Sequence, residues 1–129
     1  MTAEAGAEAV FEGLMAAALR AVDPLAAVRA AARDPRLDAQ QRALLSGIDE
    51  NGLRMSALLV ARLRFERLLQ GSSRAGAWYE DDAPAFVEAF RRYHAEVPPR
   101  GWQPADEGRA FEAWLAQGVA DGELAAPRV

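Results

Sequence analysis

The chain has 129 residues and a formal charge of −4, with 19 acidic residues, 15 basic residues that are all arginine, one histidine and no cysteine. The lack of cysteine excludes disulfides, thiolate metal sites, iron–sulfur ligation and thiol catalysis, and a single histidine argues against a zinc or non-heme iron site made of imidazoles from one chain. The acidic balance argues against a general nucleic-acid binder, whose affinity comes largely from cations on phosphate.

No apolar run approaches the ~18 residues that span a bilayer. The opening "MTAEAGAEAVFEG" lacks the basic start of a signal peptide. The expectation is therefore a soluble cytoplasmic protein.

Alanine, leucine and arginine dominate, and no stretch alternates with period two. The expected class is all-α, a compact bundle of five to six helices in one domain, 1–129, around a central apolar helix at about 52–70. The first helix is expected from about Thr2 to Val22, with Val10, Phe11, Leu14, Met15 and Leu19 on its apolar face. Glu4 and Glu8 in its first turn and Arg20 in its last match the helix dipole. "DPLAAVRAAARDP" restarts a helix, with Asp23 as N-cap and Pro24 at the first helical position, and Pro35 ends it. "LDAQQRALLSG" is the next helix, capped by Asp38 and stopped near Gly47.

After "IDENG" comes "GLRMSALLVARLRFERLLQG", residues 52–71. At 100° per residue its apolar side chains point in nearly every direction, which predicts burial on all sides. Arg54, Arg62, Arg64 and Arg67 are threaded among them, and residues 51–74 carry five arginines against Glu66, a local charge of +4. Some of these arginines are expected to pair with acids on flanking helices, and others to face an acidic partner. Their stems can lie on apolar neighbours while the heads emerge.

Residues 72–80 are expected to form a short helix. In "DDAPAFVEAFRRYHAEVPP" Asp82 caps, Pro84 lies in the first turn, and Pro98 and Pro99 stop the helix. The last helix, "PADEGRAFEAWLAQG", carries Phe111, Trp114 and Leu115 on one face and ends at Gly118. Residues 119–129 read as a mobile tail.

The sequence holds no glycine-rich phosphate loop, nucleophile elbow, HExxH or EF-hand loop. Glu80, Asp81 and Asp82 read as a helix cap with neighbouring acids rather than metal ligands. His94, near a helix end, suits the dipole there or a partner contact. Trp102 lies in the loop "VPPRGWQP", where an exposed aromatic would make an anchor for a partner.

The order of these features resembles a bacterial helical family commonly labelled DNA-binding. In that family a leucine-rich helix ending in Gly precedes F-x-x-x-x-x-x-Y-x-x-x-x-P-P, a loop, and G-x-x-F-x-x-F/W-L. Phe86, Tyr93, Pro98, Pro99, Gly108, Phe111, Trp114 and Leu115 occupy those positions here, and the similarity covers about residues 38–117.

The family includes the partner proteins of multinuclear non-heme iron-dependent oxidases, which modify ribosomally made peptides of the methanobactin and 3-thiaglutamate type. The resemblance implies a non-catalytic partner or scaffold that binds such an oxidase and helps present its precursor peptide, with iron held by the enzyme and no cofactor in this chain. Longer members have a Phe-Pro pair late in the central helix and a further C-terminal domain implicated in leader-peptide recognition. The peptide-binding role therefore does not carry over by residue, and the enzyme-partner role is what the resemblance implies. Arg54, Arg62, Arg64, Arg67, Trp102 and His94 are the candidate contact residues. The alternatives are a DNA-binding regulatory module and a self-associating structural protein.

Overall fold

A computed structural model describes the backbone of residues 3–129 and side-chain environments from Gly6 onward. The all-α expectation holds. Among the described residues there are seven helices, α1 (Ala3–Arg20), α2 (Pro24–Ala31), α3 (Ala39–Ser46), α4 (Glu50–Gly71), α5 (Ser73–Asp81), α6 (Ala83–Glu96) and α7 (Pro104–Ala120). This exceeds the expected five to six. The expected start at Thr2 and the first-turn Glu4 side chain lie outside what is described. The helices fall into two compact units, one ending at Val60 and one running Ala61–Val129, with the boundary inside α4.

Local chemistry places most of the helix ends. Asp23 Oδ1 accepts the Ala26 amide at 3.1 Å, with Pro24 behind it in the first turn of α2. That helix ends at Ala31, before the expected stop at Pro35. Asp38 and Gln41 form a capping box on α3, each side chain accepting the other's backbone N–H, at 2.8 and 3.0 Å. Ser72 Oγ accepts the Ala75 amide and separates α5 from α4. Asp82 Oδ1 accepts the Ala85 amide at the start of α6.

The first unit has an aliphatic core of Val28, Leu37, Leu45 and Leu53 with Ala18 and Ala31. The predicted face of α1 (Val10, Phe11, Leu14, Met15 and Leu19) packs against it. Each fully buried leucine or valine contributes about 1.5–3 kcal/mol. Alanines fill space poorly, and an open groove of about 500 Å³ remains along Ala17, Ala18, Ala21, Ala27, Ala30 and Ala31. In the turn after α2, Arg36 donates two hydrogen bonds to Asp34 Oδ1, from its backbone N and Nε, at 2.9 and 3.0 Å, and one from Nη2 to Oδ2 at 2.7 Å. These bonds, the side-chain ones first, hold the half-buried Asp34 carboxyl down at about 2.

The second unit has an aromatic core of Trp78, Phe86, Phe90, Tyr93 and Phe111 with Leu68 and Leu115. Its rings meet mostly edge to face, as in Phe65–Phe90 at 5.1 Å and Tyr93–Phe111 at 5.1 Å, the arrangement ring quadrupoles favour. Where α4 ends, its backbone touches the start of α7. A Cβ on Gly71 would overlap the Pro104 carbonyl oxygen, and one on Gly108 would overlap the Gly71 carbonyl oxygen.

The C-terminal segment, read from sequence as a tail, makes contacts within its own unit. Leu124 packs beside Gly118, Arg92 reaches the Glu123 carbonyl, and Arg128 pairs with Asp81 at 3.3 Å. No described helix is long and apolar enough to cross a membrane.

Candidate functional site

The central helix is not enclosed on every side. Leu53 and Leu68 are buried, but Met55, Leu58 and Leu59 are 60, 60 and 58% exposed, and Leu63, one turn further along α4, is 54% exposed. Positions 55, 58, 59 and 63 share one face at helical spacing. An all-round apolar composition assigns no face to the core, so the sequence could not show which side is left open.

The arginines interleaved on α4 divide into two classes. Arg54 pairs with Glu50 at 3.0 Å and Arg62 with Glu66 at 3.3 Å, both exposed pairs four residues apart. Such pairs contribute about 0.3–0.5 kcal/mol. Only the first offsets the +4 read from residues 51–74, since Glu66 is already counted in that charge and Glu50 lies outside it.

Arg64 is buried. Its Nε and Nη2 donate to the two carboxylate oxygens of Glu107 at 2.9 and 3.0 Å. The planar fork matches the carboxylate, which makes this the strong form of the pair. Nη1 donates to the Val97 carbonyl just past the end of α6 and faces His94 Nδ1 at 3.3 Å. A guanidinium can only donate, so that ring nitrogen is the acceptor.

Two further groups close round Glu107. The Tyr93 hydroxyl donates a short hydrogen bond to Oε2, and Arg67 Nε lies 3.6 Å from Oε1. Burial foremost, then the bond to Glu107, raises the Tyr93 phenol above its ordinary range. The Tyr93 ring also lies under the Arg64 guanidinium, 4.4 Å from Cζ to the ring centre. His94 is buried and stacked on Phe90 at 5.5 Å. The cluster joins α4, α6 and α7 within the second unit, and burial keeps Arg64 and Glu107 from reaching a bound molecule.

Of the six candidate contact residues, Arg54, Arg62 and Trp102 are exposed, Trp102 at 89%. Arg67 is partly buried against Glu107, and Arg64 and His94 are interior. Sequence reasoning missed Glu107. The available signal was its place four and eight residues before Phe111 and Leu115, on the face of α7 that turns inward. Among the described residues no group of three or more His, Asp or Glu side chains is arranged to hold a metal ion.

Comparison of the chain with family models, with curated proteins and with solved structures returns no match.

Proposed function

We propose that this chain is a non-catalytic protein-binding module that docks a larger protein on the exposed apolar face of α4. The partner is a multinuclear non-heme iron-dependent oxidase that modifies a ribosomal precursor peptide. One observation carries the docking: Met55, Leu58 and Leu59 stand more than half exposed within little more than one turn. Each forgoes much of the ~1.5–3 kcal/mol that burial would return. A contiguous exposed apolar patch rimmed by charge is the usual mark of a contact surface. Apolar anchors at i, i+3 and i+4 are what a helix offers to a groove.

The choice of partner rests on the resemblance of residues 38–117 and on nothing in the geometry. Arg54 and Arg62 flank the anchors and would serve as rim charges, which steer association more than they hold it. Trp102 is a second exposed anchor.

The test is affinity purification of the tagged full chain from its native cells, with mass spectrometry and iron analysis, beside a Leu58→Asp/Leu59→Asp variant. The expected result is an iron-containing oxidase in stoichiometric amount with the natural chain and its loss with the variant, whose melting temperature is unchanged. An oxidase retained by the variant moves the contact off α4. Recovery of the chain alone at twice its mass replaces the partner reading with self-association.

A further inference from the structure

We infer that the first unit carries a binding cleft for a carboxylate borne on an aliphatic group, with Arg29 and Arg33 holding the charge. The inference does not rest on the docking face of α4.

An open cleft of about 440 Å³ lies between α2, α3 and the start of α4. That volume is in the range of small-molecule sites. Three of its walls are aliphatic: Leu45, which is buried, and Leu25 and Ile48, which are half-buried. The polar lining comes from Arg29, Arg33 and Ser46, all exposed.

Arg29 leaves the last turn of α2 and Arg33 the turn that follows it, and both line this one cleft. Most arginines of this chain meet an acid or a carbonyl, as Arg36, Arg54, Arg62, Arg64, Arg109 and Arg128 do with acids. Neither Arg29 nor Arg33 has an acidic partner among the described residues. The acid that lines the cleft, Glu50, is engaged by Arg54 at 3.0 Å. Two arginines lining one cleft with an aliphatic wall, and with no acid paired to either among the described residues, match an anion that carries an apolar body. A carboxylate can accept from both forks at once, and the chain behind it can cover Leu25 and Ile48.

The chemistry is common to a free alkanoate and to the C-terminal aliphatic residue of a peptide, and the experiment separates them. Amide chemical shifts of the isotopically labelled full chain are followed on titration with octanoate, acetyl-Ala-Leu-Leu with a free carboxyl end, octanol and inorganic phosphate. The expected result is saturable shifts over α2 and α3 with octanoate or the peptide, the tighter of the two naming the source. Octanol and phosphate should each bind at least about tenfold more weakly, because each lacks half of the recognition. In an Arg29→Ala/Arg33→Ala variant that keeps its melting temperature, the octanoate shifts should be lost.

Octanol binding as tightly as octanoate would reduce the cleft to an apolar dent. Phosphate binding as tightly would reduce it to a basic surface. Absence of saturable shifts with both carboxylates overturns the inference. If the variant loses stability, the comparison of octanoate with octanol on the natural chain still decides the matter.

Discussion

The two units solve the same problem with different materials. The unit ending at Val60 packs alanine, valine and leucine, fixes its helices with side-chain caps, and keeps its acid–base contacts, Asp34–Arg36 and Glu50–Arg54, at the surface. The unit from Ala61 onward packs aromatic rings around a buried ion pair and lets two backbones touch at Gly71 and Gly108. Small side chains can shift into a vacancy, and the first unit already tolerates a groove lined by alanines. Interlocked rings and a desolvated charge cannot adjust in that way. The second unit should therefore be brittle to single changes and the first forgiving.

The sharpest way to break that contrast is Glu107→Ala. It strands Arg64 inside the core with Arg67 beside it, and breaking such a pair costs about 3–5 kcal/mol. Urea unfolding of the variant measures the loss. A Glu107→Leu/Arg64→Met double variant should recover most of it, because neither charge is then left alone. A loss under ~1 kcal/mol in the single variant would mean that water reaches the pair.

Next in size is Gly71→Ala. The added methyl must displace the Pro104 carbonyl, and overpacking of this kind costs about 3 kcal/mol. The same denaturation measurement reads it, and Gly108→Ala should act alike.

In the first unit, Asp38→Ala removes the capping box of α3 and should cost about 1 kcal/mol. Asp38→Asn, which keeps an acceptor for the Gln41 amide, should recover most of it.

The smallest effect is the acid response of Asp34. Its folded value of about 2 lies below the ordinary 3.8, so its contribution is complete above the ordinary value and is lost as pH falls through about 2. A carbon NMR titration should place the Asp34 midpoint near 2. Arg36→Ala should return it toward the ordinary value.

The helix starts were legible because their signals are local. Asp23, Asp38 and Asp82, with Pro24 and Pro84 behind two of them, act on amides three residues away. The aromatic face of α6 was legible for the same reason, since Phe86, Phe90 and Tyr93 follow the helical period. The Arg64–Glu107 pair was not, because its members are 43 positions apart and each residue type is ordinarily solvated. The open face of α4 was hidden by excess, since leucines on every side leave the period nothing to report. The cleft of Arg29 and Arg33 was equally out of reach, because it depends on α3 and the start of α4 leaving room beside α2.

The wide spacing of Arg64 and Glu107 also matters during synthesis. The chain leaves the ribosome from its N-terminus, so Arg64 is made 43 residues before its counter-ion. At ~5–20 residues per second that is a wait of roughly two to nine seconds. A guanidinium without its counter-ion is costly to take out of water, which disfavours burying this part of α4 under the rings of α5 and α6 before Glu107 is present. The arrival of α7 brings the carboxylate, the Gly108 contact and the Phe111 face together. It is thus α7 that lets the unit close.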